Sequence, residues 1–277
     1  MTTGVGISDC CLSGKLAEGS PKGREEEIGG ISTYVAQPES GSNAKTIIFL
    51  TDIFGWKLNN VRLLADSYAK AGFYCYIPDF HQGDSLPEEL LQDIEPPLPT
   101  RENLSLLAKG TKTAKVGATL GPWLFKHREA VVKPIIDGFI RTVRMIPRTD
   151  KVGTIGFCWG GRYAVLTAHD GNYGPGNGVD AAYACHPSLL AIPADLNPVT
   201  KPLSVALGTK DSLIKEKEQG KIQDAMAKLT NVPHELKLYE DQVHGFALRG
   251  DFSSEKDKKA MDDAEKQGIE WFQKYLA

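Results

Sequence analysis

The sequence predicts an α/β fold with a mostly parallel central sheet flanked by helices. Short apolar runs of strand length alternate with stretches of helical periodicity along nearly the whole chain. Glycine and proline fall at the boundaries between them, and no internal repeat or linker divides the sequence.

The elements follow in order. The polar, glycine-bearing stretch from Gly14 to Glu27 reads as a surface lead-in, so residues 1–30 are set apart from a single domain over 31–277. Ile31 to Gln37 reads as the first strand, ended by Pro38 and the turn-like Glu39-Ser40-Gly41. Thr46 to Leu50 is a continuous apolar run, as in a strand buried on both faces. Val61, Leu64, Ala65 and Tyr68 fall on one helical face, Gly72 closes that helix, and Phe73 to Ile77 is the next strand.

Residues 81–121 are rich in Pro, Gly and charge and read as an excursion carrying short helices over the core. Gly121-Pro122 predicts a helix start. Val132, Ile136, Phe139, Val143 and Ile146 continue at helical spacing, with Pro134 expected to kink or restart the helix. Lys151–Phe157, Val179–Cys185 and Leu203–Gly208 read as strands, with a helix near Gly160–His169 between the first two. Ile214–Leu229 is helical, Glu235–Tyr239 is a last strand, and the final helix puts Ile269, Phe272 and Leu276 on one face.

Composition narrows the function classes. The chain has 277 residues, 41% hydrophobic and 24% charged, enough to bury a core without disulfides or metals. A net charge of -3 argues against a nucleic-acid partner. No run approaches the roughly 18 apolar residues of a membrane span, and the N-terminus has no basic, apolar signal pattern. The C-terminal Lys274-Tyr275-Leu276-Ala277 carries no organelle address. Five cysteines, an odd and sparse set, fit a reducing compartment, and a cytoplasmic protein is expected. The sequon at Asn103-Leu104-Ser105 is then expected to stay unmodified.

Gly156-Phe157-Cys158-Trp159-Gly160-Gly161 is the most informative segment. It lies between a strand and a helix, the setting of a nucleophile elbow, where a reactive residue sits strained at a sharp turn. The flanking glycines suit it, because a Cβ there would strike the neighbouring strand or helix. The helix N-terminus offers free N–H groups to a developing oxyanion. Cysteine at the tip supplies a thiolate, the stronger nucleophile at neutral pH. A buried structural cysteine at a glycine-rich turn is the alternative. The glycines do not fall as G-x-G-x-x-G, which argues against a dinucleotide turn.

An acid and a histidine follow in the order such a fold requires. Asp211 ends Gly208-Thr209-Lys210-Asp211 after a strand, and His244 lies in a loop after the last strand. His244 is expected to reach the thiol with Asp211 fixing its tautomer. Asp211 also suits the N-cap of the following helix, a compatible role. Asp241 is a rival acid, too close in sequence to orient His244 easily. His186 follows a strand and points towards the same edge, as a pocket or a structural residue. His81, His127, His169 and His234 have no acid or thiol at a telling spacing. Cys10-Cys11 and Cys185-His186 lack the four-ligand spacing of zinc, so neither a metal nor a cofactor is expected. Cys75 lies inside a strand and reads as core.

Together these segments resemble the dienelactone hydrolase (carboxymethylenebutenolidase) family of the α/β-hydrolase fold, from about Ile31 to the C-terminus. The resemblance is carried by Thr51-Asp52-Ile53-Phe54-Gly55-Trp56, Ile77-Pro78-Asp79-Phe80, the elbow, Gly208-Thr209-Lys210-Asp211 and His244-Gly245-Phe246. The Cys10-Cys11 and Gly14 lead-in is similar to the family's fungal branch. The resemblance implies Cys158 as nucleophile, His244 as base, Asp211 as its orienting acid, and an oxyanion hole from the Ile53 and Trp159 N–H groups. Bacterial members carry a glutamate, which holds the resting thiol, where this chain has Asp52. Asp52 is one methylene shorter and reads equally as a structural hydrogen-bond acceptor. A family arginine that binds substrate carboxylate corresponds to Arg249, displaced by one position; a solvated surface arginine is the other reading. A second such arginine would fall near Arg101.

The expected activity is cysteine-dependent hydrolysis of carboxylic esters, with lactones or small activated esters as substrates. A thioesterase or general esterase without lactone preference is one alternative. A non-catalytic ligand-binding or redox-sensing protein is another, of a different class. The partners expected are small molecules, with no membrane and no nucleic acid.

Overall fold

The computed structural model describes residues 19–88, 118–169, 176 and 178–277. Eight strands form one sheet: β1 (Arg24–Ile28), β2 (Ile31–Ala36), β3 (Lys45–Leu50), β4 (Tyr74–Pro78), β5 (Lys151–Phe157), β6 (Ala181–Cys185), β7 (Leu203–Gly208) and β8 (His234–Tyr239). Their order is β1-β2-β4-β3-β5-β6-β7-β8. β1 and β2 pair antiparallel, as do β2 and β4; every other neighbouring pair is parallel. The central strands β3, β5, β6 and β7 are buried on both faces, which is why β3 and β7 read as largely apolar runs.

β1 lies in the stretch that the sequence assigns to a surface lead-in. Its sequence, Arg-Glu-Glu-Glu-Ile, is polar because it is an edge strand with exposed side chains. Ile28 pairs with Ile31 across Gly29-Gly30, both at positive φ, closing the hairpin.

The helices are α1 (Asn59–Lys70), α2 (118–126), α3 (Glu129–Arg144), α4 (Trp159–Thr167), α5 (Glu216–Met226), α6 (Phe246–Arg249) and α7 (Glu255–Tyr275). α2 is already helical at residue 118, so Pro122 lies within it instead of starting it. The restart expected at Pro134 comes at Glu129, and Pro134 sits inside α3. Residues alternate across β5, and each face receives a helix. A Cβ on Gly153 would strike Phe272 of α7, and one on Gly156 would strike Gly160 and Ala164 of α4. Phe49, Tyr68, Phe73 and Phe272 join β3, α1 and α7 through edge and tilted ring contacts. No helix among the described residues is long and apolar enough to cross a membrane.

Candidate active site

The carboxyl ends of the strands gather the candidate residues. Cys158 follows β5 and is the N-cap of α4, with φ 52° and ψ -113°. A non-glycine residue in that region is strained, and the surroundings hold it there. Its N–H donates to Cys185 O, and its carbonyl accepts from Gly161 and Ser188 N–H groups at 3.0 and 2.8 Å. The turn is crowded: a Cβ on Gly156 would come within 2.2 Å of Gly160 O, and one on Gly160 within 2.0 Å of Leu50 O. Both glycines are therefore steric requirements of the elbow.

His244 and Asp211 meet, although 33 residues separate them. His244 Nδ1 lies 2.9 Å from Asp211 Oδ2, with both side chains buried. Asp211 Oδ1 meanwhile accepts from Leu213 and Ile214 N–H groups. The carboxylate thus braces its own turn but does not cap α5, whose N-cap is Lys215. Gly245, at φ 87°, carries the chain from His244 into α6. His244 Nε2 has no hydrogen-bond partner among the described residues. Burial lowers the basicity of the imidazole, but the adjacent Cys158 and the Asp211 hydrogen bond outweigh it and push the ring up to about 10. Asp241, the rival acid, is an exposed partner of Lys256.

The loop after β3 is tied to the elbow by Gly160 N–H donating to Thr51 O at 3.1 Å. Asp52 Oδ1 accepts from Phe54 N–H, and Ile53 O accepts from Leu86 N–H, so the peptide at Ile53 is held from both sides. Asp52 Oδ2 lies 2.9 Å from Arg249 Nε, both groups buried, though without the alignment of a hydrogen bond. Burial pushes the Asp52 carboxyl up, and the Arg249 charge and Phe54 N–H pull against it. Arg249 also stacks over the Phe54 ring at 5.1 Å. It is no solvated surface arginine, and it is engaged by Asp52.

His186 is fully buried at φ 37°, its ring 5.2 Å from that of His244. Neither ring nitrogen has a partner among the described residues. Burial, with the charges of His244 and Arg249, holds this imidazole well below its ordinary pKa, so it is neutral. His234 and His169 bind backbone carbonyls. Arg101, Cys10, Cys11 and the Asn103 sequon lie outside the described residues. Among those described, no cluster suited to a metal ion occurs.

Two groups escaped the sequence reading. Ser188 Oγ lies 3.7 Å from Cys158 Sγ, a contact made by the loop after β6. His81 and Trp123 pack against Trp159, 4.9 Å and 5.6 Å from its ring, and His127 packs against both of them. Burial and the neighbouring His127 lower the His81 pKa to about 3. The available signal was Trp123 and His127 four residues apart, on one helical face. A cavity of about 190 Å³ lies beside Trp159, walled by Leu124, Tyr163 and Leu189 and rimmed by Arg128 and Glu129.

A mostly parallel sheet, helices on both faces and an elbow at the end of β5 define an α/β-hydrolase fold. Solved structures agree on the fold. A protein assigned as a dienelactone hydrolase from Klebsiella pneumoniae superimposes with a TM-score of 0.67 at 20% identity, covering 91% of this chain and 98% of that one. The dienelactone hydrolase of Anabaena variabilis gives 0.59 at 18%, covering 92% and 97%. Residues 31–276 match the dienelactone hydrolase family, and the chain belongs to it. Hydrolase pyvD of Aspergillus violaceofuscus is 30% identical over 99% of both chains. The carboxymethylenebutenolidase homolog of Xenopus tropicalis is 28% identical over 96% of both. The resemblance seen in the sequence is thus borne out for family and fold.

Proposed function

We propose that this protein hydrolyses carboxylic esters through an acyl-enzyme on Cys158, with lactones and small activated esters as its substrates. One observation carries the reading: Cys158 sits at positive φ on the strand–helix tip, and at the same sheet edge His244 is locked to Asp211 at 2.9 Å.

In this reading Asp211 holds the proton on His244 Nδ1 and leaves Nε2 to take the thiol proton. The thiolate attacks the carbonyl carbon, and the Ile53 and Trp159 N–H groups receive the oxyanion. Collapse breaks the C–O bond, and His244 returns its proton to the departing alcohol oxygen. Water, deprotonated by His244, then releases the acid and restores the thiol. With a lactone the alcohol stays tethered, so a single product leaves. Cys75, Cys158 and Cys185 are free thiols, which suits a reducing, cytoplasmic setting. Residues 31–277, with β1 added to their sheet, would act as one domain.

The test is hydrolysis of p-nitrophenyl acetate and a dienelactone by wild type and Cys158→Ala. Turnover of either compound by wild type alone supports the reading. Equal inertness of both proteins, with Cys158 closed to iodoacetamide, would move the protein to the non-catalytic class.

A further inference from the structure

We propose that the Ser188 hydroxyl is a further polar group on the reacting sulfur, stabilising the Cys158 thiolate by donating a hydrogen bond to it. The inference rests on Cys158 being the nucleophile and adds a residue to that machinery.

Three observations support it. The Cys158 thiol points at Ser188 Oγ, 3.7 Å away, and this is the only hydrogen bond of that hydroxyl among the described residues. Ser188 is nearly buried, so its O–H cannot turn to bulk water and its orientation is set by the sulfur. The backbone then fixes the pair. Ser188 N–H donates to Cys158 O at 2.8 Å, and His186 N–H donates to Ala206 O at 2.7 Å, anchoring the loop to β7. His186 and Leu189, either side of Ser188, both sit at positive φ, 37° and 58°. Two strained non-glycine residues around one serine are a cost that a loop free to relax would not keep.

The proton accounting is simple. In the neutral pair S–H donates to Ser188 Oγ. When the thiol proton passes to His244 Nε2, the sulfur becomes an acceptor, and the Ser188 O–H rotates to donate to it. No bond to Ser188 forms or breaks, and nothing is oxidised. The other titratable and charged groups at this edge are His244 after β8, Asp211 after β7, His186 after β6, Asp52 after β3 and Arg249 on α6. Ser188 is uncharged, so replacing it leaves their charges in place.

The experiment is the pH dependence of Cys158 carbamidomethylation by iodoacetamide, read by mass spectrometry of the Cys158 peptide, in wild type, Ser188→Ala and Ser188→Thr. A hydrogen bond to a charged group predicts a midpoint about one pH unit higher in Ser188→Ala, with Ser188→Thr returning towards wild type. Circular dichroism checks that each variant is folded. Coincident profiles for wild type and Ser188→Ala would overturn the proposal, as would equal shifts in both variants, which would assign the effect to the loop. A wild-type midpoint at the ordinary thiol value of about 8.5 would instead strike the nucleophile reading itself.

Discussion

Two polar regions of the molecule are built to opposite rules. Beneath α7, Gln267 closes a network: its Oε1 accepts from Tyr239 and Tyr183 hydroxyls, and its Nε2 donates to Ser204 Oγ and Glu235 Oε1. Tyr183 also reaches Ala264 O, and Ser204 donates to Glu235. Every member is satisfied, as expected where burial must not cost stability. The strand carboxyl ends behave differently. Eight buried side-chain polar atoms lack a hydrogen bond among the described residues, and seven lie there, on Asp52, Asp79, His81, His186, His244 and Arg249. Five of the six non-glycine residues at positive φ lie there too: Gln82, Cys158, His186, Leu189 and Asp241. Unmet hydrogen-bonding capacity and strain are concentrated where chemistry is expected.

Breaking each region in turn sharpens that contrast. The largest effect is expected from Asp211→Asn, which leaves the geometry nearly intact but spoils the His244 tautomer. Its kcat with p-nitrophenyl acetate should fall by about 10³–10⁴, with a small change in melting temperature. A loss under tenfold would remove Asp211 from the triad.

Asp52→Asn is expected to cost stability, because it strands a buried guanidinium. Denaturant titration should show a loss of about 3–5 kcal/mol, much of it recovered when Arg249→Met is added. Equal losses in the single and double variants would mean that the Asp52–Arg249 pair is not the reason.

Gln267→Leu should lower stability by about 2–4 kcal/mol by leaving several buried partners unsatisfied. Its kcat is expected to stay at the wild-type value, since the network touches none of the reacting groups. A comparable fall in kcat would erase the distinction between the two regions.

The last effect concerns acid. His81 titrates near 3 in the folded chain, because burial and His127 disfavour its charged form, and near 6.5 when unfolded. Between these values the unfolded state binds the extra proton, so stability is lost as pH falls below about 6.5, by up to about 1.4 kcal/mol per pH unit. His81→Gln should flatten that slope in melting curves taken at successive pH values. An unchanged slope would show that other groups set the acid limit.

Much of this was legible in the sequence, for physical reasons. β5 and β7 match their expected bounds because strands buried on both faces are largely apolar, and Gly156 and Gly160 advertise the elbow because the turn tolerates no Cβ there. β1 was missed because an exposed antiparallel edge strand carries no apolar signal; only Gly29-Gly30 marked the hairpin. Asp52 and Arg249 were recognised singly, but their pairing joins a loop after β3 to α6 and is purely tertiary. The same holds for Ser188, whose meaning comes from its contact with Cys158, and for His81 and His127, 46 residues apart. The excursion read over 81–121 lies mostly outside the described residues.

The most direct test of the central claim is the mass of the enzyme quenched during turnover of p-nitrophenyl acetate. The account predicts one added acetyl group, mapped to the Cys158 peptide, that decays as product forms and accumulates in His244→Ala if that variant still acylates. Full hydrolysis by wild type with the Cys158 peptide always unmodified, or with the acetyl group on another side chain, would contradict it.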